Sequence, residues 1–184
     1  LLRVLAATGA RRGEVCGIRW SDINGGSRTL SIKRSIASVP GGTIVKDTKS
    51  HAARRISLDD DTIAILELQR DRMKRRAEMC ELALNHDGYV FTATADGSDP
   101  LHPDTITKGF ARVQKRAGLH GIRLHDLRHL HATELLAAGV PVPTVSGRLG
   151  HANSATTLNV YAHFLEASDR DAADVIGNLL GRDE

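Results

Sequence analysis

Aromatic side chains are scarce: Phe, Trp and Tyr together make up 3% of the 184 residues. The core therefore cannot rest on stacked rings, and the plentiful Leu, Ile, Val and Ala point to an aliphatic, Ala-rich interior that favours helices. Cysteine is nearly absent too. Cys16 and Cys80 lie far apart with no metal-ligand spacing, which excludes a disulfide framework and fits a reducing, intracellular setting. No apolar run reaches membrane-spanning length, and no signal-peptide pattern opens the chain, so the expectation is a cytoplasmic protein without a membrane role. An initiating Met is also missing. The first segment, "LLRVLAATG", reads as the last turns of a helix stopped at Gly9, so an N-terminally truncated chain is expected.

What remains is a chain of ordinary single-domain size, long enough to bury a core without staples. Its formal charge is only +3, but the positive residues cluster in "ARR", "HAARR", "RDRMKRR" and "QKRAG". Such runs suggest a polyanionic partner, with solvated helix faces as the plainer explanation.

The pattern predicts a mainly α protein with a small three-stranded antiparallel β-sheet, an α+β class. After Gly9, Val15, Ile18 and Trp20 suit a short helix closed by "INGG". From Thr29 to Leu58 the period changes to two, through Leu30 and Ile32, then Ile44, then Ile56 and Leu58. "PGG" at 40–42 supplies a turn, and "KDTKSHAA" an exposed connection. A long amphipathic helix follows from the Asp59–Asp61 caps, with Ile63, Leu66, Met73, Ala77, Cys80 and Leu84 along it. "GYVF" reads as a short strand or an extended piece. A helix starts at Pro103 and ends before Gly118, another runs from near Asp126 to Gly139, and a short one lies in "VPVPTVSGRLGH". "SATTLNVYAHFL" and "SDRDAADVIGNLLG" are the last two helical candidates, the latter with Ala172, Val175, Ile176 and Leu179 on one side.

Chemistry concentrates near the C-terminal half. In "HDLRH", His125 and Arg128 stand three apart at a helix start, so both point the same way, where free backbone N–H groups also favour an anion. His129 and His131 share the segment, and any one of these histidines could be a capping or surface residue. His125 and His129 also stand at i, i+4, as zinc ligands do. Yet the order H-E-x-x-H is absent, and Arg128 between them would repel a cation. One of two tyrosines, Tyr161, sits in "TTLNVYAHFL" where an apolar face would accept Leu or Phe, so its hydroxyl becomes the point of interest.

Taken in order, "TGARRGEVCGIRWSDI", "DTKS", "LHDLRHLHATELLAAGV" and "RLGHANSATTLNVYAH" resemble the catalytic domain of tyrosine recombinases, the phage-integrase family, over nearly the whole chain. The resemblance implies that residues 1–184 form that catalytic domain, with its fold and with an upstream core-binding domain absent. It implies Arg11 as the first catalytic arginine, with Arg12 as the adjacent alternative and Glu14 as the motif's acidic residue. Lys49 matches the family's lysine on a sheet turn, Lys46 being the alternative. His125 and Arg128 match its H-x-x-R pair, His151 in "LGH" its second histidine position, and Tyr161, ten places on, its nucleophile.

The implied activity is site-specific recombination or integration of a mobile element, by cleavage and rejoining of double-stranded DNA through a 3′-phosphotyrosyl link. Neither a cofactor nor a metal is implied, since paired arginines can neutralise the phosphate. The family works as a tetramer on DNA, whereas a fragment alone is expected to be monomeric. The C-terminal helix would dock on a neighbouring subunit or pack on its own domain. Two rival readings remain: relaxation of DNA by a type IB topoisomerase, which uses similar chemistry, and a DNA-binding fragment inactive without its missing domain.

Overall fold

The computed structural model describes residues 1–47, 53–151, 155, 157, 158 and 165–181. The chain opens with α1 (Leu2–Thr8), which stops where the sequence places its stop: Gly9 takes φ 62° and its N–H returns to the Leu5 carbonyl. An L side chain would be strained there, and it would also have no room. A Cβ on Gly9 would sit 2.6 Å from Leu149 Cδ2 and 2.8 Å from His131 Cδ2.

The next helix, α2 (Arg12–Cys16), is shorter than the apolar spacing predicts. Ile18 and Trp20 lie beyond it, because the Asp22 carboxylate accepts the Arg19 N–H at 2.9 Å and starts a separate 3-10 turn over Trp20–Asp22. All three apolar side chains are nevertheless buried.

A three-stranded antiparallel sheet is present, but its membership differs from the expected one. Its strands are β1 (Ile23–Asn24), β2 (Thr29–Ile32) and β5 (Arg54–Ser57), with Ile23 opposite Leu30 and Leu30 opposite Ile56. The strand containing Ile44 lies elsewhere: β3 (Arg34–Val39) and β4 (Gly42–Asp47) form a separate hairpin closed at Pro40 and Gly41. Alternation runs on through Leu30, Ile32, Arg34 and Ile36, but pairing changes partner at Lys33. There Lys33 and Arg34 both reach the buried Asp22 carboxylate, at 3.1 and 2.5 Å, and Arg34 also donates to the Gly17 carbonyl. That anchor ties the hairpin to the α2 side of the molecule.

Asp59 caps α3 (Asp60–Met79), the longest helix among the described residues, by accepting the Thr62 N–H at 2.9 Å. Hydrogen bonding from Thr62, aided by Arg3, holds the Asp59 carboxyl down at about 2. Leu66, Met73 and Ala77 form the buried stripe, whereas Cys80 and Leu84 fall past the helix end and Cys80 is exposed. "GYVF" is extended chain, joined to Arg19 by one bridge at Tyr89. The remaining helices among the described residues are α4 (Pro103–Arg116), α5 (Asp126–Ala137), α6 (Val142–Leu149) and α7 (Leu165–Leu180). Val175, Ile176 and Leu179 of α7 are exposed. Among the described residues no helix is long and apolar enough to cross a membrane.

Among the described residues, the buried apolar side chains fall into two clusters. The larger joins α1, α2, the sheet, α3 and the start of α4, and the smaller joins Ala132 and Leu136 of α5 to Val145 and Leu149 of α6. Gly9 lies where the two meet. Replacing it with Ala is expected to cost about 2–4 kcal/mol, from left-handed strain and overpacking together. Gly109→Ala on α4, where a Cβ meets nothing within 4 Å, should instead gain about 0.5–1 kcal/mol. Urea titration of both variants measures this, and similar midpoints for the two would contradict the close-approach account.

Candidate functional site

Four of the six site residues expected from the sequence lie among the described residues, and the fold brings them together. Lys49 and Tyr161 lie outside those residues, as does most of the connection "DTKSHAA". Lys46, the alternative lysine, stands exposed on β4 opposite Ser35.

Arg11 is the N-cap of α2. Its own N–H donates to Glu14 Oε2 at 2.7 Å, and its guanidinium lies 3.0 Å from Glu14 Oε1. This reciprocal hold turns the side chain at the helix start while leaving it 36% exposed. Arg12 points to α4 instead, donating to Asp104 Oδ1 at 3.1 Å and Thr107 Oγ1 at 2.8 Å.

Arg128 comes from the first turns of α5 and is 5% exposed. Its guanidinium donates to the Gly9 carbonyl at 2.5 Å and the Leu149 carbonyl at 2.7 Å. Among the described residues no carboxylate is hydrogen-bonded to it. Burial, followed by the charge of Arg11, pulls its pKa down to about 10, so it stays charged at neutral pH. A buried cation held only by carbonyls favours an anion beside it.

That anion has a place to sit. Arg11, Arg12, His125 and Arg128 line an open cleft of about 390 Å³, closed on its other sides by Leu5, Ala10, Thr107, Arg123, Leu124 and Leu127. Arg123 is occupied by Asp126, at 3.0 Å. His125 precedes α5 and stands edge-on to His129, ring centroids 4.9 Å apart. Burial first, and then the charges of His129, Arg128 and Arg11, lower its pKa below the usual imidazole value. His125 is therefore neutral at pH 7 and able to accept a proton.

His151 follows α6, which ends at Gly150 in a left-handed turn with φ 69°. Its Nδ1 lies 2.8 Å from Thr157 Oγ1, and Thr157 is wholly buried against Ser146. Burial and the nearby charges of Arg128, Arg11 and Arg54 hold its pKa down to about 4. His131, by contrast, is structural. Its Nδ1 lies 2.8 Å from the Ala6 carbonyl and its Nε2 accepts from Arg148 Nε at 3.2 Å, which fixes the tautomer with the proton on Nδ1. Among the described residues no group of three or more His, Cys, Asp or Glu side chains is placed to hold a metal ion.

Arg54 was not singled out from the sequence, yet it is bonded to Glu14 through both carboxylate oxygens, at 3.1 and 2.6 Å. A signal was available. In a period-two strand Arg54 shares the face of the buried Ile56, whereas Arg55 faces out, and an inward arginine calls for polar partners inside the fold.

The chain as a whole has relatives among known proteins. The model of the phage integrase family matches residues 1–167, and the chain belongs to that family. A XerC-like tyrosine recombinase of Caldanaerobacter subterraneus subsp. tengcongensis is 28% identical over 188 residues, covering 94% of this chain and 47% of that protein. The ICEBs1 integrase of Bacillus subtilis is likewise 28% identical, over 94% of this chain and 46% of its own length. Among solved structures, the Tn1549 transposon integrase in complex with transposon right end DNA shares the fold, with TM-score 0.77 at 21% identity, over 96% of this chain and 57% of that one. The chain thus spans about half the length of the curated relatives it matches.

The low imidazole pKa values carry a sign. As pH falls below about 6.5 the unfolded chain binds protons that His125, His131 and His151 refuse in the fold, so stability declines toward acid. Thermal midpoints should therefore drop between pH 7 and pH 5, and His151→Gln should flatten that slope. An unchanged slope in the variant would show that His151 is not held neutral by the fold.

Proposed function

We propose that this chain is the catalytic domain of a tyrosine recombinase that cuts and rejoins double-stranded DNA at specific sites through a 3′-phosphotyrosyl intermediate. The observation that carries the reading is Arg128, a buried guanidinium bonded to carbonyls and opening onto the cleft it shares with Arg11 and His125. Family membership supports it, as does the naming of relatives as recombinases and integrases.

In this mechanism Arg11 and Arg128 grip the non-bridging oxygens of the scissile phosphate and offset the charge that grows on them in the transition state. The phenol oxygen of Tyr161 attacks phosphorus. As the new O–P bond forms, the bond from phosphorus to the 5′ oxygen breaks, the phenol proton passes to His125, and Lys49 gives a proton to the departing 5′ oxygen. His151 donates a hydrogen bond to the phosphate. The covalent link conserves the phosphodiester energy, so a 5′ hydroxyl from another strand reverses the step without a nucleotide cofactor. Strand exchange requires four such active sites, so the complete protein acts as a tetramer on two duplexes, in the cytoplasm where its DNA is found.

The test uses the complete gene product and nicked duplexes that tile the DNA beside its own gene, each designed to trap the covalent adduct. Wild-type protein should form an adduct on one of them, and Tyr161→Phe should form none. Arg128→Ala should lower its rate by about 10²–10³-fold or more. An adduct that survives Tyr161→Phe, or a wild-type protein that forms none on any duplex, would sink the reading. Efficient relaxation of a supercoiled plasmid lacking such a site would mark a topoisomerase instead.

A further inference from the structure

Glu14 is 2% exposed and accepts from two guanidinium groups, Arg11 and Arg54, of which Arg54 is 9% exposed. Burial works to raise its pKa, but the hydrogen bonds and charge of Arg54, followed by those of Arg11, hold it below the usual carboxylate value. Glu14 is therefore an anion inside the fold. On its own it would cancel Arg11: one carboxylate against one guanidinium leaves a neutral pair that has little attraction for a phosphate. The second guanidinium changes the sum, since two cations around one anion leave one net positive charge.

Arg54 does more than balance charge. Its Nε donates to the Arg148 carbonyl at 2.9 Å, in the last turn of α6. A Cβ on Gly150 would lie 2.8 Å from its Nη1, so the backbone just before His151 rests directly against it. One side chain on β5 thus touches the acid that orients Arg11 and the turn that carries His151.

We propose that Arg54 is a positioning residue of the DNA-cleaving site: it occupies the Glu14 carboxylate so that Arg11 keeps its charge for the phosphate, and it sets the turn before His151. The inference rests on the phosphotyrosyl reading above. Arg54 itself lies outside the residues that line the cleft and acts through Glu14.

Single-turnover adduct formation by the complete gene product, on the nicked duplex that wild type cleaves, tests it. Arg54→Gln should slow cleavage by about a hundredfold, the upper range for removing a partner of a site residue. Adding Glu14→Gln to it should restore about tenfold or more, because loss of the carboxylate returns a positive charge to Arg11. A purely structural role gives the opposite result, since a second change in the same buried knot adds damage. Arg54→Lys, which keeps the charge, should stay within about tenfold of wild type.

Arg54→Gln at the wild-type rate, or a double variant no faster than Arg54→Gln, would overturn the proposal. Where Arg54→Gln alone does not fold by circular dichroism, the double variant and Arg54→Lys decide. Both within about tenfold of wild type support it, and a hundredfold loss in either overturns it. Tyr161→Phe runs alongside: an adduct persisting there breaks the phosphotyrosyl reading, whereas an adduct lost there but unchanged in Arg54→Gln breaks only this inference.

Discussion

The C-terminal end of α1 is the joint on which the molecule turns. A helix leaves its last carbonyls without intrahelical donors, and the macrodipole makes that end negative. Here the carbonyls of Ala6, Ala7 and Gly9 receive His131, Arg148 and Arg128, all from the α5–α6 pair. The two apolar clusters are thereby fastened to each other through polar bonds as well as through the packing of Leu127 against the larger one. Arg148 extends the same joint to the sheet by donating to the Ser57 carbonyl at 3.1 Å. The Gly9 turn lets Leu149 and His131 come close enough for this to happen.

Burial then sorts the charges. The histidines near the joint are driven neutral, because an imidazole can shed its proton at little cost, whereas the arginines cannot and remain cationic. The cleft therefore presents fixed positive charge from Arg11 and Arg128 beside an imidazole, His125, that is free to take a proton. Fixed cations and a titratable imidazole thereby stay distinct within one cleft.

Much of this was legible in the sequence where the signal was local. Gly9, Gly118 and Gly139 marked helix ends that all adopt positive φ, and the Asp59 cap fixed the start of α3. H-x-x-R spacing and the motif order picked out Arg11, His125, Arg128 and His151, which the fold gathers. What escaped was pairing between distant segments. The alternation from Leu30 to Ile36 is continuous, so nothing local announces that β2 pairs with β5 while β3 pairs with β4. β1 was hidden inside "INGG", a turn signal two residues longer than the strand it overlaps. Arg54 was lost among basic residues because its role depends on Glu14, forty positions away.

Arg128 shows why the fold and the site cannot be separated here. Its guanidinium fastens α5 to Gly9 and to Leu149, and the same group lines the cleft. A lysine has one terminal nitrogen and cannot hold two divergent carbonyls while offering a planar edge to an anion. In the proposed mechanism the fork geometry of arginine serves twice, once to the carbonyls of Gly9 and Leu149 and once to the phosphate. The carbonyl bonds also hold the group still, so that in this mechanism little reorganisation would remain when charge develops on the reacting oxygens. A cation recruited from a flexible surface chain would have to be ordered at that moment, at the expense of the transition state.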